Sequence, residues 1–426
     1  MSIDDVDDRR YAVDEGSTAL TLSVQPEGLL VGGDPAAVQS YLERIRDAAG
    51  HGMSVAAVDK RLLQDTTGSG ALAATLGKAA KFVQLFPQGL EALRDDNLVP
   101  WTDGFFTMVA GEDGNLFPQI HWRPTDLAPL QMLSVQSIAV QAALMAAVAE
   151  VNEAIERVEG KVDAVLKLAE ATRAGDVLGQ HTTVQRMLRY FEKHGNLPTS
   201  DWQSIAGLGP TLDATVEKLR TYVTRSLKDF DPNLPVQKRA EILHRAVERN
   251  QIGEALSLLV IAEESLFQWQ RLRIARIAAT EPEHLSQVVD DARDLLAREV
   301  VEDGKLYALG HRVLDSFSKS EALEGFFFWA VRGLAGNRSK LGTDLDAFAH
   351  ARRSQAAEWE EHRTPGLLDA ISAAVDVVAR PAAEALAQAW AGVVKLSGHL
   401  RGTSAEEAPT RPDEHTDEPT GPVDDE

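Results

Sequence analysis

Histidines and carboxylates are the side chains of this chain that could do chemistry. The 426 residues include eleven histidines and no cysteine. The lack of cysteine excludes thiolate metal sites and a cysteine nucleophile. The nearest approach to metal-ligand spacing is His311 with Asp315, one helical turn apart, followed by the run Glu360-Glu361-His362. Such a pair binds a metal only where a second helix supplies further ligands, so a solvated pair on a helix is favoured. We therefore predict no metal site and no cofactor.

Glu263 and Glu264 are the carboxylates in the most apolar surroundings. The preceding run, residues 258–262, is apolar on all sides and predicts a central helix. A carboxylate buried there needs an arginine partner, and Arg271 and Arg273 are near in sequence. No Gly-x-Ser-x-Gly elbow occurs, and no other pair of acids suggests a shifted pKa. We therefore predict no catalytic residues.

The segment Gly32-Gly33-Asp34-Pro35 invites a phosphate-binding interpretation because two glycines precede a predicted helix. The alternative is a plain strand-to-helix turn with Asp34 as the N-cap and Pro35 at the first helical position. An acidic side chain at that helix end opposes a bound anion, so the turn is favoured.

An apolar seam that repeats every seven residues is the feature around which the elements are organised. A repeat of this kind lies on one face of a helix and predicts a long amphipathic helix over 130–172, packed in a bundle or paired with a second copy. We interpret it as the interaction or assembly seam. Its residues are Leu144, Val148, Val151, Ile155, Val158, Val162 and Val165.

The fold class predicted is mainly α: a small N-terminal α/β module, made of hairpin strands plus a helix, followed by an elongated multi-helix bundle. Strand patterns at 19–25 and 29–31 flank a turn, and two more at 105–109 and 116–122 flank another, while 54–98 suggests one or two short helices. The predicted domains are a disordered acidic N-terminus at 1–16, the module at 17–126, the bundle at 127–401 and a disordered acidic tail at 402–426.

Two apolar stretches raise the question of a membrane. Residues 127–149 carry no charge and are long enough to span a bilayer, but polar side chains on one face favour a buried helix. The run Phe326-Phe327-Phe328-Trp329 is interpreted as core, with an exposed lipid- or partner-binding patch as the alternative.

The charge of the chain is strongly acidic, with a formal value of −22. Residues 1–15 contribute −4 and residues 403–426 contribute −8, so the part between them carries −10. An acidic surface repels phosphate backbones, so nucleic acid is not expected as a partner. Protein partners or self-association are expected instead, and a cytoplasmic location fits the lack of cysteine.

Two stretches, residues 28–35 and the run Ala143–Lys167, resemble a group of uncharacterised actinobacterial proteins with a small N-terminal module and a long-helix body. The resemblance implies architecture only, since no activity is assigned to that group. We expect a non-enzymatic interaction or assembly scaffold. The alternatives are a membrane-acting, pore-forming-like effector that uses residues 127–149, and an enzyme with a site at the junction of the module and the bundle.

Overall fold

The computed structural model confirms a mainly α-helical chain that begins with a small antiparallel sheet. The structure describes residues 20–50, 53–58, 76, 79–85, 87–100, 102–108, 122–125, 127–148, 151–162, 168–249, 251–352, 359, 362–366 and 368–373. The predicted acidic termini, at 1–16 and 402–426, lie outside these residues. The chain forms two units: Met1–Ser320 with Trp329–Thr364, and Glu321–Phe328 with Pro365–Glu426. The predicted domain boundaries stay a prediction.

The sheet has six strands in the order β3-β4-β2-β1-β5-β6, and all the paired strands are antiparallel. They are β1 (Leu20–Gln25), β2 (Gly28–Gly33), β3 (Met53–Ala57), β4 (Lys81–Leu85), β5 (Gly104–Met108) and β6 (Trp122–Pro124). The predicted hairpin of β1 and β2 is confirmed, with Leu22 opposite Val31. The interpretation of 54–98 as helical only is wrong, since β3 and β4 fall there. Both strands are short. β3 pairs with β4, and β4 pairs with β2, and local periodicity does not reveal such pairing.

Most of the rest of the described chain is helical. They are α1 (Pro35–Ala49), α2 (Pro87–Asp95), α3 (Pro129–Ala146), α4 (Val151–Val162), α5 (Leu168–His194), α6 (Thr199–Ile205), α7 (Leu208–Lys228), α8 (Val236–Glu248), α9 (Ile252–Thr280), α10 (Leu285–Ser318) and α11 (Phe328–Ala351). Short 3-10 helices occupy Pro282–His284 and Ala322–Phe327.

The predicted continuous helix over 130–172 is wrong, because α3 ends at Ala146 and α4 begins at Val151. The two helices serve different cores. Apolar side chains of α3 pack with Leu30 and Phe82 of the sheet, whereas Val158 of α4 packs in the main core with α9. One straight helix cannot face both cores at once, so tertiary packing overrides the continuous seven-residue repeat.

The central helix predicted from residues 258–262 is confirmed as α9. Its residues from Ile252 to Leu272 are all buried, and it contacts α3, α4, α5, α7, α8 and α10. A helix that is apolar around most of its circumference must be enclosed by other helices, and the α9 sequence meets that condition. The polar side chains along α9 are therefore inside the protein and need partners there.

Candidate functional site

A buried charge network lies where α7, α9, α10 and α11 meet. We use this name for Arg220, Glu263, Glu299, Asp303 and Arg352. Arg220 Nη2 of α7 lies 2.9 Å from Glu263 Oε1, 2.6 Å from Glu299 Oε2 and 3.0 Å from Asp303 Oδ1. The side chain of Glu263 is wholly buried, and that of Arg220 is 7% exposed. One guanidinium thus joins carboxylates from two other helices inside the protein.

Arg352, directly after α11, closes the network from the opposite side. Its Nε donates to Asp303 Oδ2 at 2.9 Å and lies 2.8 Å from Glu263 Oε2. Its Nη1 donates to the carbonyl of Ala147 at 3.2 Å. Ala147 is the C-cap of α3, where helix carbonyls lack intrahelical partners, so Arg352 also satisfies the end of α3.

Arg298 also reaches the buried charge network, because its Nε donates to Glu299 Oε1 at 3.0 Å, so three arginines contact the three acids. Burial raises the pKa of Glu263 well above its ordinary value, and the adjacent Asp303 adds to this effect, although Arg352 and Arg220 oppose it. Burial lowers the pKa of Arg220 and Arg352, but the carboxylates of Glu263, Glu299 and Asp303 outweigh it and raise both. Burial thus favours the uncharged form of Glu263, because an uncompensated buried charge is costly.

The burial of Glu263 and its need for arginine are confirmed, but Arg271 and Arg273 do not pair with it. Arg271 donates to Gln268 at 2.6 Å, and Arg273 pairs with Asp291 at 3.2 Å. Arg271 follows Glu263 by eight residues, which is about 12 Å along a helix and too far for contact. The true partners come from other helices, and nothing local in the sequence indicates them.

Glu264 faces α5 instead of the network. Gln185 Nε2 of α5 donates to Glu264 Oε1 at 3.0 Å, and His181 Nδ1 lies 3.2 Å from Ser265 Oγ. Burial raises the pKa of Glu264 to about 7, against the effect of Gln185 and Arg352. Burial likewise lowers the pKa of His181. The interface of α5 and α9 thus holds two groups whose uncharged forms the fold favours.

His311 and Asp315 form a packed pair instead of the solvated pair predicted. His311 Nδ1 lies 3.0 Å from Asp315 Oδ2, and the Trp359 ring stacks on the imidazole at 3.8 Å. Arg338 also pairs with Asp315, at 2.7 Å. His362 Nε2 lies 3.0 Å from the Asp315 carbonyl oxygen, while Glu360 and Glu361 are outside the described residues. No group of three or more metal-ligating side chains occurs among the residues that the structure describes.

The glycine pair before α1 is a strand-to-helix turn. Asp34 Oδ1 accepts hydrogen bonds from the backbone N–H groups of Ala36 and Ala37, at 2.9 and 3.4 Å. Its carboxylate therefore takes the position that a phosphate would occupy at this helix end. A Cβ on Gly32 would lie 2.5 Å from the Leu76 carbonyl oxygen, so close backbone packing accounts for that glycine.

The residues of the seam are divided by the break after α3. Leu144 is buried in the core that α3 forms with the sheet, and Val151 and Val158 are buried in the main core with α9. Val148 and Ile155 are half-buried, Val162 lies in α4, and Val165 falls outside the described residues. The described part of the seam thus faces inward, and its role in assembly stays a prediction.

The aromatic run is exposed, so its interpretation as core is wrong. Phe326, Phe327 and Phe328 are 47%, 52% and 44% exposed, and Trp329, the next residue, is 74% exposed. In the same unit as the phenylalanines, Leu368 is 82% exposed. We define the aromatic surface as six exposed apolar residues of this unit, Leu323, Phe326, Phe327, Phe328, Leu368 and Ile371.

A close backbone contact supports the aromatic surface. A Cβ on Gly325 would lie 2.4 Å from the Gly366 carbonyl oxygen and 3.2 Å from the Ala370 Cβ, and Ala370 is fully buried. Small residues therefore fill the contact, and the large apolar side chains on either side are 40% to 82% exposed. An arrangement of this kind is typical of an interaction surface.

By length and composition alone, the stretch Pro129–Glu159, which includes α3 and the first part of α4, is long and apolar enough to cross a membrane, but 65% of its most apolar 18-residue window is buried. This burial is compatible with a soluble protein. Comparisons with models of protein families, with curated proteins and with solved structures found no match to this chain. The resemblance to the actinobacterial group therefore adds no function.

Proposed function

We propose that this protein is a non-enzymatic interaction scaffold and that the aromatic surface is its contact face. One observation carries the proposal: six of the eleven large apolar side chains that are exposed among the described residues belong to this surface. Leaving them in water forgoes about 1.5–3 kcal/mol for each fully buried phenylalanine. This free energy of burial is gained when a partner covers the side chains.

The buried charge network supports a scaffold role rather than catalysis. Its acids and arginines pair with each other across α7, α9, α10 and the residue after α11, and their side chains are 7% exposed or less. Groups so enclosed cannot reach a substrate, but they fix the arrangement of the helices. The proposal includes a cytoplasmic protein, which the lack of cysteine and the burial of α3 support.

The two alternatives have less support from the geometry. Insertion of residues 127–149 would expose the core that Val135 and Ile138 form with Phe82 and Phe105 of the sheet. An enzyme site at the junction of the module and the bundle would have to replace this same apolar packing. Both functions require the chain to open before they can act.

Site-specific photo-crosslinking tests the proposal. A photoreactive phenylalanine analogue at position 327 should form a discrete adduct in cells, with a protein, a second copy or a lipid. The matched control places the analogue at Tyr190, an aromatic residue of α5 that is 37% exposed and lies outside the aromatic surface. Equal adduct yields at the two positions would contradict the proposal.

A further inference from the structure

Trp359 is held by side chains of both α10 and α11. Its ring stacks on the His311 imidazole, with the ring centroids 3.8 Å apart and the two planes inclined by 19°. Its Nε1 donates a hydrogen bond to Asp346 Oδ2 at 2.6 Å, and the Arg338 guanidinium lies 5.6 Å from the ring centroid. A Cβ on Gly342 would lie 3.7 Å from the ring, so the indole packs against α11 where no side chain intervenes. We call His311, Arg338, Gly342 and Asp346 the tryptophan cradle.

The tryptophan cradle is held together by contacts in which the indole takes no part. Asp315 Oδ2 lies 3.0 Å from His311 Nδ1, and Asp315 Oδ1 accepts a hydrogen bond from Arg338 Nη2 at 2.7 Å. The Tyr307 hydroxyl donates to Asp346 Oδ1 at 3.0 Å. Side chains that are fixed by their own neighbours keep their places when a ligand leaves. The cradle is therefore a preformed site for an aromatic ring, and the acceptor on Asp346 favours an indole over a phenyl ring.

A groove of about 600 Å³ adjoins the tryptophan cradle and shares His311 with it. Arg312 and Lys319 line this groove, and both residues are exposed. Neither has an acidic partner within the part of the chain that the structure describes. Asp315 lines the groove as well, but its carboxylate is paired with Arg338. The groove thus offers uncompensated positive charge beside the indole site, and such a surface attracts acidic groups.

The sequence around Trp359 matches both parts of this site. Acids flank the indole on both sides, at Glu358, Glu360 and Glu361. Trp359 is half-buried and lies outside any helix or strand, so its own backbone is not held by a helical or sheet hydrogen-bond ladder. Its position depends on the side-chain contacts with the cradle, and contacts of this kind open more readily than a packed helix does.

We propose that the tryptophan cradle and its groove form a binding site for a tryptophan flanked by acids, and that Trp359 occupies this site as an intramolecular latch. A protein partner that carries a segment of the same chemistry opens the latch by taking the place of Trp359. Because the indole is tethered, its effective concentration is high, and a free competitor must be abundant or make further contacts. The site lies outside the aromatic surface, so this inference and the proposed function do not depend on each other.

Peptide binding by the full-length Trp359→Ala variant tests the inference. The probe is a fluorescent peptide with the sequence of residues 355–363, and its anisotropy reports binding. The variant should bind this peptide about tenfold more tightly than wild type or tighter still, because wild type must first release its own indole. The same peptide with alanine in place of tryptophan should not bind. If the variant does not bind the probe, or binds it no better than wild type, Trp359 is a fixed part of the core and the inference is wrong.

The cradle and the groove are tested separately in the variant that lacks the indole. Adding Asp346→Ala removes the acceptor of the indole N–H and should weaken peptide binding about tenfold. Adding Arg312→Ala and Lys319→Ala should weaken it several-fold at low salt and less at high salt. The matched control adds Arg225→Ala and Lys228→Ala, which remove an exposed arginine and an exposed lysine of α7, and should leave binding unchanged. Peptide binding that ignores the changes in the cradle and the groove occurs elsewhere on the chain and overturns the inference.

Fluorine NMR tests the latch in wild-type protein, where no substitution can unfold the chain. All seven tryptophans are replaced by 5-fluorotryptophan, and the signal that Trp359→Phe lacks is that of Trp359. An excess of the unlabelled peptide should move this signal to the position of a solvent-exposed tryptophan and leave the signal of the buried Trp269 in place. A Trp359 signal that does not respond to the peptide contradicts the latch. A signal that moves with protein concentration alone shows that a second copy supplies the indole, which also overturns an intramolecular latch.

Discussion

Arg352 Nε lies 2.9 Å from Asp303 Oδ2, and both side chains are almost wholly buried, at 3% and 4% exposed. The pair joins the residue after α11 to the middle of α10, and it stands beside Glu263 of α9. The same guanidinium satisfies the carbonyl of Ala147 at the end of α3. One residue outside any regular helix thus connects three helices, and the stability of the bundle should depend on it and its partners.

Removing Arg220 should destabilise the protein strongly. Arg220→Ala removes the one arginine that contacts Glu263, Glu299 and Asp303 together, and breaking a buried ion pair in this way costs about 3–5 kcal/mol. Chemical denaturation measures the free energy of unfolding. Lys340→Ala is the control, because the Lys340–Glu248 pair is solvent-exposed and should contribute little. Equal losses in the two variants would contradict a special role for the network.

Replacing Glu263 by glutamine should cost little at neutral pH. Burial raises the pKa of Glu263 and so favours its protonated carboxyl, and a glutamine side chain has nearly the same shape. Glu263→Ala should destabilise by about 2–5 kcal/mol instead, because it leaves a cavity and removes a partner of both arginines. Thermal and chemical unfolding at pH 7 compare the variants. A glutamine variant as unstable as the alanine variant would show that Glu263 is ionised.

Glu264 should make stability depend on pH. Its pKa is about 7 in the folded protein against an ordinary 4.5, so the folded state holds the proton more tightly. The stabilisation is complete below about pH 4.5 and is lost as the pH rises through about 7.

Glu264→Gln should therefore match wild type at pH 4 and exceed its stability at pH 8, by on the order of 2–3 kcal/mol. The free energy of unfolding at each pH is the measurement. Glu283→Gln, which makes the same change at an exposed position, is the matched control. If the free energy of unfolding changed with pH in the same way for wild type and Glu264→Gln, the raised pKa of Glu264 would be contradicted.

Two glycines in helices should respond in opposite ways to alanine. A Cβ on Gly209 of α7 would lie 2.4 Å from Trp269 Cη2, and that ring is held by a hydrogen bond from Nε1 to the Ile205 carbonyl at 2.9 Å. Gly209→Ala should therefore lose about 1–3 kcal/mol through overpacking. Gly179 of α5 is exposed and a Cβ there meets nothing within 4 Å, so Gly179→Ala should gain about 0.5–1 kcal/mol. Melting curves with tryptophan fluorescence decide between the signs.

The seam can be tested apart from the aromatic surface. Val158 is fully buried, so Val158→Asp should unfold α4 or the whole bundle, because an unpaired charge enters the core. Asn152→Asp, at an exposed position of α4, is the control. Circular dichroism and light scattering follow folding and mass. A folded variant that loses oligomers would make the seam an assembly interface.

The sequence by itself determined those features whose cause is local. The apolar run before Glu263 required a buried central helix, and the periodicity of the seam placed Val151 and Val158 inward. Asp34 before Pro35 defined the start of α1. In each case the spacing of apolar and polar residues along one element sets the face that is buried, and no distant residue is needed to infer it.

The tertiary structure alone decided which distant residues meet. In the folded chain Arg220 and Arg352 are the partners of Glu263, α3 ends at Ala146, and Phe326 and its neighbours are exposed. Each outcome depends on how separate helices pack, because a buried charge is satisfied by whichever side chain reaches it through space. An apolar side chain is buried only where another element covers it. The periodicity of a single element indicates neither the partner of a buried charge nor the element that covers an apolar side chain, so neither could be predicted from it.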